Sequence, residues 1–244
     1  MSISRITIKS NMNECLFFYR TNSEGDKGVI KQIFVNQDYN ILHWTQGRRL
    51  FEYHRQISQH TKSLIIDAGA NIGASSVYFS MHFDNSIIFA IEPEDSNFKL
   101  LSINTKNHNC INFKGAISGI DEDLSLVDPN RSDWGFMTLK TEQASSKILK
   151  NIRAISPNTI LKNTDIANSK PLIFKIDVEG AEEMLFSNDI SWLGKFPLVI
   201  IELHDWMLPF SGSSRNFIKA IANFEFDFLH KGENIFLFNR SILN

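Results

Sequence analysis

A short segment that follows an apolar run carries the residue types of a binding loop. The segment Asp67–Gly73 reads DAGANIG and comes directly after the run Leu64–Ile66. Its glycines let the backbone approach a ligand closely, and a helix that begins after it would present its N-terminus to that ligand. It departs from the dinucleotide fingerprint, because Asn71 stands where that motif places a glycine against the pyrophosphate. Asp67 would repel a pyrophosphate, so the segment favours a ligand that carries a cation or an amino group.

A second acid, Glu92, ends the next apolar run and directly precedes Pro93. A carboxylate in this place can accept two hydrogen bonds from the vicinal hydroxyls of a ribose. Alone, Glu92 would be better interpreted as a surface glutamate, but its pairing with the loop at Asp67–Gly73 favours the ribose site. Together the two acids predict an adenosine ligand that carries positive charge instead of phosphates. S-adenosylmethionine fits, since it has a ribose, a sulfonium and an amino acid tail.

Four further polar residues form two pairs, each with a spacing of two, after later apolar runs. Asp177 and Glu179 form one pair, and Glu202 and His204 form the other. This spacing points both side chains to one side of an extended segment, so the pairs could act as acid and base, hold a divalent cation or orient acceptor hydroxyls. His204 could be a general base near neutral pH, and a structural histidine is an equally good interpretation. For Asp177 the alternative is a helix N-cap.

Trp134 stands in a glycine-bearing part of the irregular stretch 119–170. A tryptophan in such a loop could stack on an acceptor or close the site. The equally good alternative is that it anchors the core of a hairpin. The same stretch predicts two short hairpin strands, Leu124–Val127 and Phe136–Leu139.

The elements that must position these residues repeat as strand, loop and helix from Ser63 onward. Such repeats predict an α/β fold with a doubly wound, mostly parallel, Rossmann-like sheet of seven strands and an antiparallel C-terminal strand. In this fold the ligand lies beyond the carboxyl ends of the strands, where the residues above are found. The predicted strands of the sheet are Leu64–Ile66, Ser86–Ile91, Cys110–Lys114, Pro171–Ile176, Pro197–Leu203, Phe224–His230 and Asn234–Asn239.

Residues 1–62 have a different pattern and predict a small β-rich N-terminal cap, whereas residues 63–244 predict a single domain. Alternating or β-branched residues predict short strands in the cap, and a polar, glycine-bearing segment between two of them predicts a turn. A helix is expected at the end of the cap. The predicted cap strands are Ser4–Lys9, Cys15–Arg20 and Val29–Val35, the turn is Asn22–Gly28 and the helix is Arg48–Thr61.

The chain resembles the FkbM-type family of class I S-adenosylmethionine-dependent methyltransferases. The resemblance rests on the loop at Asp67–Gly73, the acid Glu92 and the segment Lys175–Glu182, which reads KIDVEGAE and is the most specific of the three. It covers roughly residues 63–239 and leaves the N-terminal sixty residues uncovered. It implies the class I fold, S-adenosylmethionine as cofactor, and hydroxyl acceptors on sugars, glycans or natural products.

The resemblance also implies roles for individual residues. The loop would surround the methionine part of the cofactor, Glu92 would bind the ribose, and the segment after the third strand would contact adenine without the acid that many relatives have there. The implied cofactor-binding residues are Asp67, Gly69, Ala70, Asn71, Gly73, Glu92, Ala116, Ile117, Ser118 and Asp177. The catalytic candidates are His204, Asp177 and Glu179, and the substrate candidates are Trp134 and Glu202. No metal ligand is assigned, although a divalent metal is possible.

Composition narrows the classes of protein that fit. The chain has 244 residues, a formal net charge of -2 and 43% hydrophobic residues, which is typical of a globular protein and argues against a basic nucleic-acid binder. Two cysteines cannot form a disulfide framework, and no apolar run reaches the roughly 20 residues that span a bilayer. The expectation is a cytoplasmic protein without a signal peptide or membrane span, with a small-molecule or carbohydrate acceptor and a possible homo-oligomeric state.

Two alternatives to an O-methyltransferase stay open from the sequence. A NAD(P)-dependent oxidoreductase would also use a parallel sheet and an acid such as Glu92, although Asn71 and Asp67 speak against it. A non-catalytic, methyltransferase-like binding module is the third possibility, although the complete set of acids and glycines in the loop argues against a degenerate site.

Overall fold

The strands of the fold follow the apolar runs of the sequence. The computed structural model describes residues 2–10, 14–128, 137–139, 147–163, 166–207 and 209–244. Its strands are β1 (Ile3–Lys9), β2 (Glu14–Arg20), β3 (Ser63–Ala68), β4 (Ser86–Glu92), β5 (Cys110–Lys114), β6 (Ala116–Ile117), β7 (Glu122–Asp128), β8 (Met137–Leu139), β9 (Lys147–Ile155), β10 (Lys170–Ile176), β11 (Leu198–Glu202), β12 (Phe226–Lys231) and β13 (Asn234–Asn239).

Helices follow several of the strands from β3 onward, and two more lie between β2 and β3. They are α1 (Glu24–Ile30), α2 (Thr45–Ser58), α3 (Ala74–His82), α4 (Asp95–Asn104), α5 (Pro157–Lys162), α6 (Glu182–Leu185), α7 (Arg215–Ile221) and α8 (Arg240–Leu243), with a π-helical turn at Lys31–Val35 and a 3-10 turn at Leu193–Lys195. Within the described residues, no helix combines the length and the apolar character that crossing a bilayer demands.

A seven-stranded sheet forms the centre of the molecule, with the strand order β12-β13-β11-β10-β3-β4-β5. The strands β11, β10, β3, β4 and β5 are parallel to one another, and β13 is antiparallel to both β11 and β12. This confirms the predicted doubly wound, mostly parallel sheet with an antiparallel C-terminal strand. The carboxyl ends of β3, β4, β10 and β11 therefore meet at one edge.

Both faces of the central sheet are covered, which explains why its strands are continuous apolar runs. In β3, Ile65 packs into the hydrophobic layer on one face, whereas Leu64 and Ile66 pack into the layer on the other. The first layer includes α3 and the N-terminal elements, and the second includes α5, α6 and α7.

The N-terminal segment matches its prediction only in part. The hairpin β1–β2 and the helix α2 lie where they were expected, but the predicted strand Val29–Val35 is wrong, because this region is helical from α1 through the π-helical turn. The hydroxyl of Ser23 accepts a hydrogen bond from the Asp26 backbone N–H and caps α1, so the expected turn is a helix start. Ile30 and Ile33 are both buried, a helical spacing that the β-branched composition obscured.

A second, four-stranded sheet has the order β6-β9-β7-β8 and lies beside the carboxyl edge of the central sheet. Strands β7 and β8 correspond to the two predicted hairpin strands, except that Phe136 lies outside the described residues. The long strand β9 and the helix α5 were not predicted. The strand β9 pairs with β7 in antiparallel register, and the buried side chains of Ile152 and Ala154 alternate with the exposed ones of Asn151 and Arg153.

Candidate functional site

The loop after β3 has a backbone that requires glycine. Gly69 has φ +76°, and a Cβ atom at this position would lie 1.7 Å from the carbonyl oxygen of Asp177. Asn71 and Gly73 also have left-handed φ angles, of 51° and 90°. The backbone N–H groups of Gly69 and Ala70 both donate to the carbonyl of Ile91 at the end of β4. The loop is therefore held tightly between β4 and β10, as the glycine pattern predicts.

A buried lysine supports this loop from below. Lys175 on β10 donates to the carbonyl of Gly69 at 2.7 Å, and its Nζ lies 3.3 Å from Asp67 Oδ1 and 3.4 Å from Asp177 Oδ2. Burial alone would lower the pKa of Lys175, but the negative charges of Asp67 and Asp177 outweigh burial and raise it. The ammonium group therefore stays charged and ties the loop to the end of β10.

Asp67 itself lies beneath the loop and lines neither of the two cavities described below. It is fully buried, and its Oδ2 accepts hydrogen bonds from the hydroxyls of Ser75 and Ser76 at 2.6 Å each. Its Oδ1 has no hydrogen-bond partner and lies 3.3 Å from Lys175 Nζ, so the expectation that Asp67 helps to bind the cofactor stays a prediction. This placement makes Asp67 a support for the loop and for the start of α3.

Glu92 lies at the end of β4, on the same edge as the loop. Its Oε2 accepts from the backbone N–H of Asn71 at 2.9 Å, and its Oε1 accepts from the backbone N–H of Glu94 at 2.9 Å. Burial raises the pKa of Glu92 to about 7, although these hydrogen bonds from backbone N–H groups favour the charged form. The carboxylate is thus placed to gain further hydrogen-bond donors, such as hydroxyls.

Two cavities open at this edge. The first, which we call the β4 cavity, lies over β4 and β6 and is lined by Gly69, Asn71, Glu92, Ala116, Ile117 and Thr138, among others. The second, which we call the β11 cleft, lies beside β11 and is lined by Glu24, Gln32, Glu202, His204, Trp206 and Glu233, among others.

Three residues line both cavities: Asn71, Asp177 and Glu179. Asp177 and Glu179 follow β10, and Glu179 has a left-handed φ of 49°. The Oδ1 atom of Asn71 and the Oε2 atom of Glu179 are buried and have no hydrogen-bond partner. The β4 cavity and the β11 cleft therefore meet at polar side chains with unused hydrogen-bonding capacity.

His204 lies at the floor of the β11 cleft with only 1% of its side chain exposed. Its Nδ1 forms a 2.5 Å hydrogen bond with Oε1 of Glu182, which is also fully buried. Its Nε2 faces three carboxylate oxygens, at 3.5 Å from Glu202, 3.6 Å from Asp177 and 3.6 Å from Glu179. The two predicted pairs of polar residues thus form one cluster across the ends of β10 and β11.

The charges in this cluster alter its titration. Burial by itself would lower the pKa of His204, but its hydrogen bond with Glu182 and the nearby carboxylates of Glu202 and Asp177 raise it to about 11. Burial and the charge of Asp177 raise the pKa of Glu179 to about 8. The surrounding carboxylates thus favour the protonated form of His204, and its expected role as a general base near neutral pH stays a prediction.

The remaining predicted residues are placed as follows. Ala70 and Gly73 belong to the loop but line neither the β4 cavity nor the β11 cleft. The same holds for Ser118, whose hydroxyl donates to Glu122. The substrate candidate Trp134 lies outside the described residues. Among the candidates, the β4 cavity and the β11 cleft bring together Gly69, Asn71, Glu92, Ala116, Ile117, Asp177, Glu179, Glu202 and His204.

Several residues of the site were missed from the sequence. Lys175 and Glu182 both belong to the segment that carries the family resemblance. The charge of Lys175 inside an apolar strand, and that of Glu182 at the start of a helix, could have indicated that they belong to the site. Trp206 follows His204 by two residues and is 63% exposed at the rim of the β11 cleft. Glu24 and Gln32 come from the N-terminal helical segment, which no motif connected to the site.

The fold and the site define an α/β protein of the doubly wound class, with its ligand site at the carboxyl edge of the parallel strands. A model of the family described as "Methyltransferase FkbM domain" matches residues 67–231, which is more than half of the chain. The chain therefore belongs to the FkbM methyltransferase family and is a methyltransferase, as the sequence resemblance indicated.

One named relative and several solved structures are similar to the chain. Methyltransferase 1 of Beauveria bassiana (strain ARSEF 2860) is 25% identical over 198 residues, which cover 72% of this chain and 73% of the relative. The structure of M. capricolum TrmK with S-adenosyl-homocysteine matches 77% of this chain and 67% of its own, at 10% identity and a TM-score of 0.37. That of M. jannaschii TYW2 with AdoMet matches 96% and 83%, at 10% identity and a TM-score of 0.34.

Proposed function

We propose that this methyltransferase takes its methyl group from S-adenosylmethionine and transfers it to a hydroxyl oxygen of a sugar, glycan or natural product. The observation that carries the proposal is the meeting of the β4 cavity and the β11 cleft at Asn71, Asp177 and Glu179. A methyltransferase needs two neighbouring sites, because the acceptor atom must approach the methyl carbon in line with the sulfur.

The β4 cavity is suited to the cofactor. Glu92 would accept hydrogen bonds from the two ribose hydroxyls, and the adenine would lie against Ala116 and Ile117, which line the cavity. The unpartnered Oδ1 atom of Asn71 could accept a hydrogen bond from the ammonium group of the methionine part. In this arrangement the sulfonium lies near the carboxylates of Asp177 and Glu179, where negative charge favours it.

The β11 cleft is suited to an acceptor that carries several hydroxyl groups. Carboxylates accept hydrogen bonds from hydroxyls, and Glu24, Glu202 and Glu233 line the cleft together with the two acids of the junction. The exposed ring of Trp206 at the rim offers an apolar face on which a sugar ring can lie. In this assignment Trp206 stacks on the acceptor, which is the role that the sequence analysis predicted for Trp134.

The reaction is a displacement at the methyl carbon. The acceptor oxygen forms the new bond to carbon, the bond from carbon to sulfur breaks, and the sulfur keeps the electron pair and becomes neutral. The hydroxyl proton must leave, and the carboxylate of Asp177, which lines both cavities, could receive it; Glu179 could do so above its pKa of about 8. His204 would hold these acids in place, because its Nε2 faces both of them.

We further propose that the protein works in the cytoplasm. The support is that Cys15 and Cys110 are both unpaired and only partly exposed, as is common in a reducing compartment.

Titration calorimetry with S-adenosylmethionine tests the cofactor assignment. We expect the wild-type chain to bind one molecule of the cofactor and Glu92→Ala to weaken binding about tenfold or more, because hydrogen bonds to a charged group are lost. Glu52→Ala on the exposed face of α2 is the matched control and should bind normally. Absence of cofactor binding by the wild-type chain, or equal binding by Glu92→Ala, would contradict the assignment.

A labelled methyl group on S-adenosylmethionine tests the acceptor atom. Incubation with a panel of sugars and polyhydroxylated compounds should give a labelled ether, which resists hydrolysis in mild base, whereas a labelled ester would not. Products labelled on nitrogen or carbon alone would overturn the O-methylation proposal and leave the cofactor assignment standing.

A further inference from the structure

We propose that Asp177, Glu179 and His204, joined by Glu202, form a binding site for one divalent transition-metal cation on the floor of the β11 cleft. This inference deepens the proposed function, and it rests on that function only for the role of the cation in the reaction. The cation would bind acceptor hydroxyls beside the transferred methyl group.

The geometry of the cluster fits a metal site. One ligand atom each from Asp177, Glu179 and His204 can be chosen so that all three lie within 4.8 Å of one another. Ligand bonds of about 2.0–2.2 Å place neighbouring ligand atoms about 3 Å apart and opposite ones about 4 Å apart. The distances of 3.5 Å and 3.6 Å from His204 Nε2 to the carboxylates are therefore close to those of a coordination shell.

The orientation of His204 is an independent observation that points to a ligand. The side chain is almost completely buried, and Glu182 engages its Nδ1, so that Nε2 is directed into the cluster. Nε2 lies slightly too far from every carboxylate for a good hydrogen bond. A histidine whose second nitrogen is held by a carboxylate is the common supporting arrangement of metal-bound imidazole.

Charge in the β11 cleft also calls for a cation. Its described lining includes Glu24, Asp177, Glu179, Glu202 and Glu233 and contains no lysine or arginine. The nearby Lys175 reaches Asp177 from below but is shared with Asp67 and the loop carbonyl. Several carboxylates that face one another in a partly buried cleft repel one another. A divalent cation that replaces the proton on His204 Nε2 would reduce that repulsion further, because it carries one more positive charge.

The ligand set selects among cations. Mg²⁺ and Ca²⁺ prefer shells made only of oxygen, whereas an imidazole nitrogen together with carboxylates suits first-row transition metals. We therefore expect Mn²⁺ to bind more tightly than Mg²⁺. In the reaction, a hydroxyl bound to the cation would release its proton more readily to water in the cleft. Its oxygen would then attack the methyl carbon while sulfur keeps the electron pair of the broken bond.

Mn²⁺ binding to the full chain, stripped of metals and without cofactor, tests the site directly. The paramagnetic resonance signal of free Mn²⁺ should disappear on titration with the wild-type chain, to a ratio of one Mn²⁺ per chain. Glu179→Gln should weaken binding about tenfold or more, because it removes one charged ligand. Glu24→Gln is the matched control, since Glu24 lines the same cleft and its ion pair is with the exposed Lys27, and it should bind as the wild type does.

Thermal melting adds a second readout that a folding defect cannot imitate. Mn²⁺ should raise the melting temperature of the wild-type chain and of Glu24→Gln but not that of Glu179→Gln. Without metal, Glu179→Gln should melt close to the wild-type temperature, because the amide has nearly the same size and shape as the carboxyl group. His204→Gln serves as a second ligand variant.

Two results would overturn the proposal. One is that neither Mn²⁺, Zn²⁺ nor Mg²⁺ binds the wild-type chain; the other is that Glu24→Gln loses as much Mn²⁺ affinity as Glu179→Gln, which would indicate diffuse attraction to an acidic cleft. The failure of the metal site is distinguishable from that of the proposed function. Cofactor binding and full turnover in a chelator would refute the metal alone, whereas Mn²⁺ binding without any cofactor binding would refute the methyl-transfer assignment alone.

Discussion

The β4 cavity and the β11 cleft share three residues but are built in different ways. The β4 cavity is lined largely by backbone and small side chains, with Glu92 as the acid of β4. The β11 cleft is lined by carboxylates, a histidine and a tryptophan, and one of its walls comes from α1. The β4 cavity suits the cofactor, which is the same in every reaction cycle. In the β11 cleft, side chains would carry both the chemistry and the selectivity for the acceptor.

The largest effect is expected from a change to the backbone of the cofactor side. In Gly69→Ala the new Cβ would lie 1.7 Å from the carbonyl oxygen of Asp177, and the left-handed φ of the residue adds strain. The loop must then move away from β10, and we expect cofactor affinity to fall about a hundredfold or more, which corresponds to about 2.7 kcal/mol. Calorimetry with S-adenosylmethionine measures this.

The control for this change lies on the other side of the comparison. A Cβ at Gly28, on α1 in the wall of the β11 cleft, would meet no atom within 4 Å. Gly28→Ala should keep the cofactor affinity of the wild type and gain slightly in stability, because alanine favours helix. Normal cofactor binding by Gly69→Ala would show that the β4 cavity does not depend on the backbone conformation of this loop.

A change on the floor of the β11 cleft should have the opposite profile. His204 lines this cleft and not the β4 cavity, so His204→Gln should keep cofactor affinity within about threefold while turnover falls about a hundredfold or more. Calorimetry and initial rates with a labelled methyl group separate the two quantities. His230→Gln, on the edge strand β12, is the control and should change neither. If His204→Gln loses cofactor affinity as well as turnover, the β4 cavity and the β11 cleft are not independent.

This difference between the two halves explains how much could be predicted from the sequence. The loop and Glu92 occupy contiguous segments at strand ends, and the left-handed angles of Gly69 and Gly73 follow from residue type. The parallel sheet brings such segments together by a general rule, so the cofactor side could be located without coordinates. The direction of a single side chain could not, and Asp67 accordingly points into the core and not into the cavity.

The acceptor side depends on contacts between distant segments. The helical state of α1 is favoured by the pairing of Asp26 with Arg20, which in turn donates to Asn97 beside the β4 cavity. Polar and glycine residues made the same stretch read as a turn followed by a strand. Only the spacing of Ile30 and Ile33 indicated a helix. Nothing in the sequence of this stretch indicated that α1 would line the same cleft as His204.

The pH dependence of cofactor binding gives a sharper test of Glu92. Its pKa is raised from 4.5 to about 7 by burial, so the carboxylate that ribose hydroxyls need becomes charged only as the pH rises through that value. Cofactor affinity should therefore increase severalfold between pH 6 and pH 8, and Glu92→Gln should remove most of this increase. Isothermal titrations in matched buffers measure both.

The stability of the ligand-free chain should respond in the opposite direction. A carboxyl group whose pKa is raised on folding contributes stability that is complete below its unfolded pKa of 4.5 and is lost as the pH rises through about 7. The melting temperature should fall over this range, and it should fall less in Glu92→Gln. For the binding experiment, a cofactor affinity that stays constant between pH 6 and pH 8 would show that Glu92 is already charged or does not bind the ribose.

The smallest effect is expected at the rim of the β11 cleft, where an aromatic contact adds to the polar ones. Trp206→Ala should raise KM for the acceptor about fivefold and leave KM for the cofactor unchanged, since stacking of this kind contributes about 1 kcal/mol. Phe210→Ala is the matched control, because Phe210 is a fully exposed aromatic residue nearby that lines neither cavity. If both variants behave alike, the acceptor does not lie on Trp206. If Trp206→Ala alone raises KM for sugar acceptors but not for flexible alcohols, the side chains of the β11 cleft determine acceptor selectivity, as the contrast between the two cavities implies.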